Sequence, residues 1–159
     1  MRIAGHEIRE YFRLLAPLFG LIAAVWTLRL VLAATQAPPG VVRACSVSVT
    51  GAISVLLAVL LIHMRRFGGY LDVAVATLFL IVWEQVLISA AIAFTILTGI
   101  ENVYSAPEYS FRGLGHWQHI AGHMTFGVGS GTLLGSLMGC LLLWLLRKMV
   151  PLGEKHAGA

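Results

Sequence analysis

The chain has 159 residues, of which 58% are hydrophobic and only 11% charged. Soluble domains carry roughly 25% charge, so the composition excludes an ordinary soluble globule and points to one all-α membrane domain. The net charge of +4 does not imply nucleic-acid binding, because the basic residues stand at the ends of apolar runs rather than along one face.

The stretch after Met1, RIAGHEIREYFR, mixes apolar and charged positions. Ile8, Phe12 and Leu15 fall on one helical face, which predicts an interfacial helix leading into the first span; a frayed terminus is the plainer alternative. The apolar run that follows is too long for the h-region of a secretory signal.

Four spans follow, at about residues 14–34, 41–63, 71–99 and 119–146, each near or above the ~20 residues a helix needs to cross a bilayer core. The links TQAPPG (35–40) and MRRFGGY (64–70) are short, so neighbouring helices are antiparallel partners in a four-helix bundle. The third link, residues 100–118, is long and holds Tyr104, Tyr109, Phe111 and Trp117, residues suited to headgroup depth. Arg2, Arg9, Arg13, Arg65, Arg66, Arg147, Lys148 and Lys155 fall on one side of these spans, against Arg112 and Arg43 on the other. The positive-inside rule then places both termini in the cytoplasm, in a plasma or bacterial inner membrane.

Span one contains Arg29, roughly 24 Å beyond Arg13 at ~1.5 Å per residue. Span two opens with Arg43, Cys45, Ser46, Ser48, Thr50 and Ser54; Ser46, Thr50 and Ser54 recur at every fourth position. Each hydroxyl either lines a polar site or bonds its own i−4 carbonyl. Span three carries Glu84 and Gln85 near its middle, with Glu84 roughly 20 Å beyond Leu71. A carboxylate at that depth costs about 2.5–3.5 kcal/mol on insertion scales unless paired, protonated or hydrated. The similar depths of Arg29 and Glu84 predict an ion pair between them; the alternative is an Arg29 that snorkels to the headgroups.

Span four carries Gly127, Gly131, Gly135 and Gly139 at every fourth position. Glycine permits the close backbone approach on which helix association in lipid depends. The partner is a helix of the same chain or span four of a second copy in a homo-oligomer; a glycine-lined pore is the third reading. His116, His119 and His123 precede this ladder on the same face, and imidazoles at that spacing suit a transition metal or haem iron. The plainer reading is three interfacial histidines. His63 ends span two at the opposite end, which weakens a two-histidine haem within one chain.

The half of the bundle near the long third link is therefore polar, and the other half, residues 55–62, 73–82 and 141–146, is mostly aliphatic. That asymmetry predicts a polar, outward-facing intramembrane site built from Glu84, Arg29, Gln85, Arg43, Thr50 and His123. The function expected first is a transporter, a channel-like protein or an accessory subunit of a membrane complex. A metal- or haem-binding redox protein comes second and a lipid-modifying membrane enzyme third. Asp72 is the single aspartate, which excludes a two-aspartate intramembrane protease. Cys45 and Cys140 form no CxxC, and Gly127–Gly131 follows no strand and is no phosphate loop.

Overall fold

A computed structural model describes residues 2–105 and 115–149. Tyr109, Phe111, Arg112 and Lys155, all used in the sequence reading, lie outside the described residues.

The described chain is all-α apart from one two-residue hairpin. Its strands β1 (Arg2–Ile3) and β2 (His6–Glu7) pair antiparallel. Ala4 and Gly5 form the turn with φ of 53° and 92°, the doubly left-handed geometry that favours tight hairpins. The hairpin takes the first part of the N-terminal stretch, while Ile8, Phe12 and Leu15 are helical within the first long helix. Helix α1 (Ile8–Ala34) starts directly after the hairpin, because Glu7 and Glu10 form a reciprocal capping box.

The second expected span is divided. Helix α2 (Pro39–Ala44) ends at Cys45, and Ser46 then caps α3 (Val47–Met64) by accepting from the Val49 N–H at 3.4 Å. Ser46 thus leaves the serine–threonine ladder to become a helix cap. Helix α4 (Tyr70–Thr98) ends at Gly99, whose φ of 71° gives a left-handed stop. The last span is a continuous helical rod in three parts: α5 (His116–Gly122), a π turn (His123–Gly127) and α6 (Val128–Met149). Four helical segments are long and apolar enough to cross a membrane: Ile8–Ala34, Pro39–Met64, Tyr70–Thr98 and His116–Met149.

The bundle runs up, down, up, down. Helices α3 and α4 pack against each other, and each also packs against α1 and α6. One end is fixed by polar contacts. The Tyr11 hydroxyl donates to Asp72 Oδ1 at 2.6 Å, and the Gly69 N–H donates to Asp72 Oδ2 at 2.7 Å. Two donors make a buried aspartate, 4% exposed, tolerable. Arg147 reaches the Gly68 carbonyl at 3.0 Å, so the start of α1, the α3–α4 link and the end of α6 share this basic end. At the opposite end, Asn102 Nδ2 donates to the Ala91 carbonyl at 2.7 Å, which ties the third link back onto α4. Between the two ends, the Trp83 indole donates to the Phe19 carbonyl at 3.1 Å and staples α4 to α1.

The core follows helical periodicity. Tyr11, Leu14, Leu15, Leu18 and Ile22 are the buried face of α1, and the four aliphatic residues meet Val73, Ala76 and Leu80 of α4 and Val55, Val59 and Ile62 of α3 in one apolar cluster. Outside it, α6 presents Leu133, Leu134, Leu137 and Met138 about 60% exposed, which suits a lipid-facing surface and not water.

Candidate functional site

Two adjacent polar residues in the middle of α4 organise the interior. Glu84 is 2% exposed and Gln85 is 7% exposed. Each occupies space that a glycine on a flanking helix leaves open. A Cβ on Gly51 of α3 would collide with the Glu84 carboxylate, and a Cβ on Gly127 would stand 2.7 Å from Gln85 Oε1. Glycine here serves close approach: a side chain from α4 fits where the facing residue has none.

The same geometry continues along α6. A Cβ on Gly131 would meet Ile81 at 3.0 Å, one on Gly135 would meet Thr77 at 2.8 Å, and one on Gly139 would meet Val73 at 2.8 Å and Val59 at 3.1 Å. Gln85, Ile81, Thr77 and Val73 are themselves four residues apart, so two antiparallel four-residue ladders mesh within one chain. Gly127, Gly131, Gly135 and Gly139 face α4 of their own chain in this fold.

A hydrogen-bonded chain leaves Glu84 toward the end of the bundle opposite the basic one. Gln85 Nε2 donates to Glu84 Oε1 at 3.3 Å. The amide oxygen of Gln85 then faces His123 Nδ1 at 2.7 Å, and His123 Nε2 faces His119 Nε2 at 3.1 Å. Carboxylates accept and amide nitrogens donate, so the directions follow from Glu84 outward. Gln85 Oε1 must accept, which puts the His123 proton on Nδ1. In a neutral His123, Nε2 then accepts, which puts the His119 proton on Nε2. Ser48 stands close to the Glu84 carboxylate and lines the same groove. His123 opens the π turn, where the ladder of i→i−4 bonds widens; such turns recur at functional sites.

Other residues expected at the site lie elsewhere. No ion pair joins Arg29 to Glu84 among the described residues. The register explains the difference. The Tyr11–Asp72 bond levels those two residues, which puts Arg29 roughly 27 Å above Tyr11 and Glu84 only roughly 18 Å above Asp72 at ~1.5 Å per residue. Arg29 therefore stands more than a helical turn above Glu84. Its guanidinium lies 5.1 Å from the centroid of the Tyr104 ring, a cation–π distance. Burial pushes the Tyr104 hydroxyl up to about 12, against the opposing pull of Arg29, so the phenol is neutral at physiological pH.

Arg43 is exposed at the end of α2 and lines a groove of about 860 Å³ between α1, α2 and α4 that also holds Glu101 and Asn102. The Thr50 hydroxyl donates to the Ser46 carbonyl at 2.9 Å, the local bond that withdraws it from other ligands. The three histidines do not gather around one point. His116 Nε2 turns to Glu101 Oε1 at 3.8 Å, while His119 and His123 face each other. Among the described residues no group of three His, Cys, Asp or Glu side chains is placed to hold a metal. Shared helical face is a matter of backbone; here the Glu101 carboxylate draws one side chain out of the set.

The sequence reading missed Gly51 and Ser48 as neighbours of Glu84. The only signal was Gly51 within an aliphatic helix, where glycine without a packing reason is costly. It also missed the cap that Asn102 makes on α4, in which Asn102 Nδ2 stands 2.8 Å from Thr95 Oγ1 and Ser105 Oγ 2.9 Å from the same oxygen.

Around Glu84 the bundle leaves a lateral groove of about 370 Å³ between α3, α4 and α6, with Glu84, Gln85, Ser48 and Ser130 among its lining. Compared with known proteins, this chain matches no family model, no curated protein and no solved structure.

Proposed function

We propose that the chain is an integral membrane protein of the transporter class, whose working group is the Glu84 carboxyl group, reached from the histidine end of the bundle. The observation that carries this reading is the continuous polar chain His119–His123–Gln85–Glu84 inside otherwise apolar helices. Polar and ionisable groups at such depth are expensive and characteristically serve ion or substrate pathways.

The hydrogen-bonded polar chain lies on one side of Glu84, while the other side holds Ser54 and Thr77 among mostly apolar residues. Toward the basic end, Val55, Ala58, Val59 and Ile62 of α3, Val73, Ala76 and Leu80 of α4, and Leu143 of α6 close over the site as a dry floor. A group with a polar approach from one end and an apolar seal at the other suits a binding site that is loaded from one side. It does not suit an open channel. The positive-inside rule orients the sealed end to the cytoplasm and the histidine end outward. An accessory subunit with the same site is the related reading; for a metal ion, no third ligand gathers among the described residues.

Oriented proteoliposomes and a pH step on one face test this. The infrared carboxyl band of Glu84, identified by its loss in Glu84→Gln, should respond to a step on the histidine face and stay still for a step on the basic face. Replacing His123 with leucine should slow the response. A band that responds equally from both faces, or from neither in folded protein, defeats the reading.

A further inference from the structure

We propose that the groove between α3, α4 and α6 binds a monovalent organic cation with an apolar body, with Glu84 as its counter-charge. The proposal deepens the transporter reading and rests on it for the side from which the cation arrives.

The argument starts from the volume. About 370 Å³ lies within the ~300–1,000 Å³ typical of small-molecule sites. The groove's walls are carbon: Ala52 and Leu56 of α3, and Leu134 and Met138 of α6. Gly131 and Gly135 also line the α6 side. Met138 supplies a flexible, polarizable wall that favours aromatic and irregular apolar shapes.

The polar lining decides the charge of the ligand. Ser48 stands close to the Glu84 carboxylate. The Gln85 amide donates to Glu84 and accepts from His123. The Ser130 hydroxyl donates to the Phe126 carbonyl of its own helix at 2.6 Å. The Ser130 hydroxyl and one Gln85 N–H are thus committed within the protein, and no cationic side chain lines the groove to hold an anion. What remains is acceptor capacity on a carboxylate, which can take more partners than Gln85 supplies. Among the described residues no Lys or Arg lies within ion-pair distance of Glu84. A small inorganic cation such as Mg²⁺ or Ca²⁺ demands six or more oxygen ligands, and these walls offer carbon. A cation that carries its own apolar shell fits both the charge and the walls.

Tetraphenylphosphonium is the probe, and tetraphenylborate is its control of the same shape and opposite charge. The full chain in nanodiscs of uncharged lipid should bind tetraphenylphosphonium saturably at one site per chain, above the partition into empty nanodiscs. Tetraphenylborate should not compete. Glu84→Gln should weaken binding at least ten-fold. Ala52→Phe, which fills the groove from an exposed position and leaves Glu84 in place, should weaken it equally, and it decides the matter should Glu84→Gln fail to fold. Non-saturable uptake, equal competition by tetraphenylborate, or full binding in folded Ala52→Phe would overturn the proposal. Binding is read here without transport and proton access without the cation. Success in one assay with failure in the other therefore shows which of the two readings is wrong.

Discussion

Two alanine substitutions on one helix isolate the packing of α6 from its backbone preference. Gly129 and Gly139 both lie in α6, and alanine at either position gains the same helix propensity, about 0.8–1 kcal/mol on aqueous scales. Their surroundings differ. A Cβ on Gly129 meets nothing within 4 Å. A Cβ on Gly139 stands 2.8 Å from Val73 Cγ1 and 3.1 Å from Val59 Cγ2. Both neighbours are β-branched and stiff at χ1, so neither can swing aside cheaply. Forcing a methyl into a filled core costs about 1–3 kcal/mol. Propensity cancels in the comparison, so Gly139→Ala should be less stable than Gly129→Ala by about 1–3 kcal/mol. The measurement is reversible unfolding of each variant in mixed micelles, titrated with denaturing detergent. A third variant, Gly139→Ala with Val73→Ala, restores room at the contact and should recover part of the loss, since residues in contact couple by about 0.5–3 kcal/mol. Equal stabilities for the two single variants would refute the meshed ladders of α4 and α6, and so the placement of Gln85 and Glu84 that depends on them.

Tyr11→Phe removes the 2.6 Å bond to buried Asp72 and should destabilise by about 1.5–3 kcal/mol, the range for hydrogen bonds to charged groups, in the same unfolding assay; no measurable loss would mean that this bond does not fix the register of α1 on α4. With Cys45 and Cys140 replaced by serine, cysteines introduced at Tyr70 and at Glu101 should react with an impermeant maleimide from opposite faces of the membrane, Glu101 from outside, and labelling from one face would sink the four-span topology.

The sequence by itself determined the class of fold, because the cues are local. Apolar length alone marks four helices able to span a membrane, and short links alone make them antiparallel. Glu84, Gln85 and His123 were legible for a similar reason: a polar group inside an apolar run declares its own cost. The four-residue spacing of Gly127, Gly131, Gly135 and Gly139 was equally plain, but their partner was not, since a repeat specifies a face and says nothing of what meets it.

Only the tertiary structure decided which residues meet. Depth counted from the ends of apolar runs put Arg29 level with Glu84; the Tyr11–Asp72 bond shifts α1 against α4 and sets Arg29 beside Tyr104 instead. Shared spacing put His116 with His119 and His123; the Glu101 carboxylate, delivered by a link that folds back on α4, separates it. Gly51 is one of many small residues in the chain until α3 turns it toward Glu84. Rotation and register of one helix against another come from the sum of many weak side-chain contacts spread over three helices. No stretch of sequence holds that sum, and so these contacts became visible only once the helices were packed.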